Sequence, residues 1–99
     1  MAFGIRKQEL KRWKEKVKTG EIAFITHFWY DARFPYYTTV AKVGCNDLEK
    51  LLAWGTKYQL RPEWVHKHDS FLHFDLLGEK QKEVLRKEGI DERVKRFRL

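Results

Sequence analysis

The sequence predicts an α+β domain: a small mixed or antiparallel sheet of three to four strands packed under three helices, in the order α-β-β-α-β-β-α. Three observations carry this expectation. Apolar residues recur at helical spacing near both ends of the chain and once in the middle. Between those segments lie two pairs of short runs rich in β-branched and aromatic residues. Finally, 99 residues that are 42% hydrophobic, with seven Phe, four Trp and four Tyr, suffice to fill one core. Residues 1–99 are therefore read as a single domain.

Taken in order, residues 6–19 place Leu10, Trp13 and Val17 on one stripe of an amphipathic helix. Gly20 is its stop, and Lys18 in the last turn suits the helix dipole. Lys7, Lys11, Lys14 and Lys18 form a second stripe about a quarter-turn away, at about 100° per residue. Residues 22–30 read as a strand with two largely apolar faces, hence central in the sheet. A loop through Phe34-Pro35-Tyr36 leads to a shorter strand over 38–43. Asn46 with Glu49 is expected to cap the next helix, which buries Leu48, Leu51, Leu52 and Tyr58. Pro62 ends it. Residues 64–66 read as a brief edge strand and 71–76 as a firmer one, joined by the turn residues His68-Asp69-Ser70. A third helix over 79–87 turns Val84 and Leu85 inward and stops at Gly89. A short basic tail over 90–99 follows, with Val94 and Phe97 packing back.

The formal charge of +7 is unevenly placed. Residues 1–20 hold seven Lys/Arg against two Glu, and residues 86–99 hold six against three acids, whereas 21–85 are close to neutral. Basicity thus belongs to the ends, the footprint expected of a polyanion binder. A single cysteine, Cys45, excludes an internal disulfide and a multi-cysteine zinc knuckle and fits a reducing compartment. It is read as a residue of a helix-capping region. No apolar run approaches the roughly 20 residues of a membrane span, and no secretory leader is visible after Met1. The expectation is a cytoplasmic protein without membrane contact. Glycine-rich phosphate loops, a Gly-x-Ser-x-Gly elbow and a His-Glu-x-x-His helix are all missing from the sequence, which removes the familiar enzyme classes they mark.

One constellation suits chemistry. Side chains alternate across a strand. In the first strand Ile22, Phe24, Thr26, Phe28 and Tyr30 share one face, while Ala23, Ile25, His27, Trp29 and, by extension, Asp31 and Arg33 share the other. In the late strand Leu72, Phe74 and Leu76 lie opposite Phe71, His73 and Asp75. With the two strands adjacent, His27, Asp31, Arg33, His73 and Asp75 converge as a candidate catalytic cluster. A histidine beside a carboxylate moves protons near neutral pH, and an arginine clamps a phosphate oxygen. His66-Lys67-His68 reads as exposed turn chemistry. No metal site and no cofactor is assigned.

The start Met1-Ala2-Phe3-Gly4-Ile5, the stretch 20–35 ending Asp31-Ala32-Arg33-Phe34-Pro35, and His73-Phe74-Asp75-Leu76 resemble the YneQ-like family of short bacterial proteins over nearly the whole chain. More loosely, residues 29–90 resemble a wider bacterial and phage family through Asp-x-Arg-x-Pro, Trp64, His-Phe-Asp and the lysine-rich helix. That wider family tends to carry a histidine in its second strand, where this chain has Thr38-Thr39. The resemblance implies no activity; it directs attention to Asp31, Arg33, His73 and Asp75.

Three functions compete. The sequence favours first a binder of nucleic acid or another phosphate-bearing ligand, through Lys7, Lys11, Lys14 and Lys18 and the tail residues Arg93, Lys95, Arg96 and Arg98. Second is a small hydrolase or phosphodiesterase-like enzyme built on the His/Asp/Arg cluster. Third is a protein-interaction adaptor presenting an aromatic patch near 34–37.

Overall fold

Periodicity and glycine placement set the helices, and the observed bounds follow closely. The structure is a computed structural model and describes residues 2–3, 6–29, 31–33, 35–67 and 70–90, the side chains of 2, 3 and 29 excepted. The elements are β1 (Ala2–Phe3), α1 (Lys7–Lys18), β2 (Ala23–Trp29), β3 (Thr39–Gly44), α2 (Leu48–Thr56), a 3-10 turn at Pro62–Trp64, β4 (His73–Leu76) and α3 (Gly78–Lys87). The fold is α+β, with the strands hydrogen-bonded in the order β1-β2-β3-β4. Gly20 and Gly89 carry φ of 83° and 75° just past α1 and α3, a left-handed conformation that favours glycine and stops a helix.

The described residues divide into two compact units. One takes the described parts of Met1–Ile5, Thr26–Ala41 and Leu76–Leu99; the other takes Arg6–Ile25 and Lys42–Asp75. In the second unit, α1 lays Trp13 and Val17 against β3 at Gly44. Trp13 is buried, and its indole Nε1–H donates to the Ala23 carbonyl at 3.0 Å. On β4 the side chains alternate, so Phe74 faces away from His73. Trp54 of α2 meets Phe74 and Phe24 at ring distances of 6.4 and 5.7 Å. Thus α1 covers the His73 side of this unit's strands and α2 covers the Phe74 side.

In the first unit β1 pairs antiparallel with β2, Ala2 opposite Trp29 and Phe3 opposite Phe28. From α3, Val84 and Leu85 are buried, and the buried Gln81 amide donates to the Thr39 hydroxyl at 3.0 Å.

Several expectations are corrected. A two-residue strand precedes α1, too short to leave a periodic signal. Residues 64–66 do not form a strand: Pro62 starts a 3-10 turn, and only His66 pairs, through an isolated antiparallel bridge to His73. Asp47, not Asn46, caps α2, its carboxylate accepting from the Lys50 amide at 3.2 Å. Asn46 instead accepts from the Leu72 amide and donates to the Ser70 carbonyl, both at 3.0 Å, holding the approach to β4. Of the four residues expected inward on α2 and its end, Leu51 and Tyr58 are buried, while Leu48 and Leu52 are only half-buried. Most consequential for the site, β3 stands between β2 and β4, so the two histidine-bearing strands are not neighbours.

Candidate functional site

The site begins with a backbone bridge. His66 and His73 exchange hydrogen bonds, the His66 amide donating to the His73 carbonyl at 2.8 Å and the reverse at 3.4 Å. Residues directly opposite across such a bridge send their side chains to the same side. The two imidazoles accordingly stack, with centroids 5.0 Å apart and planes 11° from parallel. Asp75 lies two residues along β4 from His73 and so returns to that side. Its Oδ2 is 3.0 Å from His66 Nε2 and its Oδ1 is 3.6 Å from His73 Nε2. Exposure grades across the cluster: the His73 side chain is 6% accessible, Asp75 30% and His66 40%. Trp13 closes the buried end with its ring edge-on to His73 at 6.2 Å.

The lysine stripe lies in the same unit. Lys7, Lys11, Lys14 and Lys18 are all exposed and, with Leu10 and Glu15, line a shallow groove of about 360 Å³. Phe71 packs on Trp13 at 5.9 Å, and the Lys14 and Lys18 ammonium groups sit 5.5 and 5.8 Å from its ring centre. A cation over an aromatic face is held by the ring quadrupole, which orients these two long side chains.

The first unit holds the remaining expected residues. His27 is only 2% exposed, with Nδ1 2.9 Å from the Phe28 carbonyl, a packed interior histidine rather than one facing solvent. Asp31 and Arg33 form a local pair: Arg33 Nε and Nη2 donate to the carboxylate at 3.0 and 2.6 Å, and the Arg33 amide donates to Oδ1 at 2.9 Å. These hydrogen bonds, the side-chain ones first, hold the Asp31 carboxyl down at about 2 and raise the Arg33 guanidinium. A depressed carboxyl pKa contributes stability above the ordinary value near 4 and loses it as pH falls toward 2. Because the pair is solvent-exposed, its net worth is small. Replacing Arg33 with Ala should return the Asp31 titration toward about 4 by carboxyl NMR, with stability near pH 7 little changed. A midpoint that stays near 2 would assign the shift to something other than Arg33.

The structure therefore gathers His73 with Asp75 and Asp31 with Arg33, and adds His66, which the sequence reading set aside as a turn residue. The bridge register was the missing signal: six residues separate positions 66 and 73, and only their pairing reveals a shared face. Cys45 is buried, its thiol donating to the Asp47 carbonyl at 3.5 Å. Tyr36 is 93% exposed and Tyr37 is exposed as well. Arg93, Lys95, Arg96, Arg98, Val94 and Phe97, and also Phe34 and His68, lie outside the described residues. No described helix is long and apolar enough to cross a membrane.

Fold and site together define a class: a small α+β protein with a basic amphipathic helix and, in the same unit, a cluster of two histidines and an aspartate. The chain is 54% identical, over all 99 residues and the full length of both proteins, to the "Uncharacterized protein YneQ" of Bacillus subtilis (strain 168). It belongs to the YneQ family. No family model and no solved structure matches it.

Proposed function

We propose that the protein binds a phosphate-bearing polyanion, nucleic acid, through the lysine face of α1. The observation that carries this reading is the exposure of Lys7, Lys11, Lys14 and Lys18 along one groove, two of them anchored over Phe71. From Lys7 to Lys18 the helix rises about 16 Å at about 1.5 Å per residue, enough to follow several consecutive phosphates of one strand. Contacts of this kind are sequence-independent and release counterions. Among the described residues lining the groove Glu15 is the one acid, and the four cations outweigh it.

Fluorescence anisotropy with a labelled single-stranded oligonucleotide tests the reading. Four phosphate contacts give a log–log salt slope of about −3, so affinity falls about fiftyfold between about 50 and about 200 mM salt. Replacing all four lysines with Gln should remove most of the binding and flatten that slope. No complex at the lower salt concentration, or a four-lysine variant that binds like the parent, would overturn it.

A further inference from the structure

We propose that His66, His73 and Asp75 form a binding site for one divalent transition-metal ion of the zinc type, with a coordination position open to solvent. The proposal rests on these donors alone and is independent of the lysine face. One donor atom from each of the three side chains lies within 4.8 Å of the others. In a tetrahedral site with bonds of about 2.0–2.1 Å, neighbouring ligand atoms stand about 3.3 Å apart. The contacts to Asp75, 3.0 Å from His66 to Oδ2 and 3.6 Å from His73 to Oδ1, are near that spacing, each to a different carboxylate oxygen. Seating one ion on all three requires the two stacked rings, 5.0 Å apart and 11° from parallel, to turn so that both in-plane lone pairs converge on it.

Proton placement points the same way. His73 Nδ1 lies 2.6 Å from the Phe71 carbonyl, which only accepts, so this nitrogen carries the hydrogen. On the neutral ring the other nitrogen, Nε2, 3.6 Å from an oxygen of Asp75, is then left as the atom able to ligate a metal. A proton there makes a nearly buried imidazolium; a metal ion satisfies both histidines and the carboxylate together. A histidine whose second nitrogen donates to a backbone carbonyl is also the arrangement that orients a metal-binding ring and raises its basicity. The donor types set the metal class: two imidazoles with one carboxylate suit zinc and its first-row neighbours over magnesium or calcium, which prefer oxygen shells. Among the described residues three donors are available, one short of a closed tetrahedron, and His66 and Asp75 are partly exposed, so that water or a ligand can reach the ion.

The test uses the full chain, free of any affinity tag and stripped of metal by a chelator. Zinc is titrated in competition with a chromophoric chelator, and cobalt(II) is added separately for its visible ligand-field bands. One zinc per chain should bind with a dissociation constant of about 1 µM or tighter. His66→Ala and Asp75→Asn, both at half-exposed positions that the fold tolerates, should each weaken zinc by about a hundredfold and abolish the cobalt spectrum. Circular dichroism of both variants confirms that their loss is not unfolding. Parent protein that leaves zinc with the chelator, or folded variants that bind zinc as the parent does, would overturn the site.

Discussion

Trp13→Ala should lower stability by about 3–5 kcal/mol, the largest loss expected of any single truncation on α1. The indole is buried, packs on Phe71 and against His73, and places its only polar atom on the Ala23 carbonyl. Truncation opens a cavity between α1 and the strands and strands that carbonyl without its donor. Against a total stability of about 5–15 kcal/mol, such a loss consumes a large share. Thermal unfolding followed by circular dichroism should show the midpoint falling by at least about 12 °C. A fall of only a few degrees would mean that Trp13 does not anchor the helix.

Gly44→Ala tests the same junction from the opposite side. A Cβ built on Gly44 would stand 2.7 Å from Trp13 Cζ2 and 2.7 Å from Val17 Cγ2. Both side chains are buried on α1 and have no room to retreat, so the helix must lift from β3. Overpacking of this kind costs about 1–3 kcal/mol, against a gain of about 0.4–1 kcal/mol from a less flexible unfolded chain. The net effect is a loss. More telling is the double variant, since Trp13→Ala removes the indole's share of the clash and leaves only that with Val17. The two costs together should fall short of their sum by about 1 kcal/mol or more, measured by urea unfolding. Strict additivity would show that the methyl and the indole never compete for space.

The helices were legible because their signals are local. Leu10, Trp13 and Val17 mark α1, Gly20 and Gly89 mark helix ends, and Val84 and Leu85 mark the inner face of α3. β2 was legible as an interior strand from its two apolar faces, and it has a partner on each side. Errors arose where a local preference met a competing tertiary bond. Asn46 is a good capping residue, yet its amide matches the backbone ahead of β4 better, and Asp47 took the cap. Trp64 and Val65 favour a strand, but Pro62 fixes a 3-10 turn first. For the site, alternation along β4 correctly put His73 and Asp75 on one side. It could not tell which other strand lies next to them, because neighbour order is set by the whole sheet. His27 was therefore chosen where His66 holds the position.

The sulfur of Cys45 is the chain's only thiol and is sealed from solvent where β3 gives way to α2. Copies of the protein cannot be cross-linked through it, nor can an oxidant consume it, while that corner stays shut. Its modification by an alkylating reagent therefore counts excursions from the native state. The fold carries its own chemical clock for how often it opens.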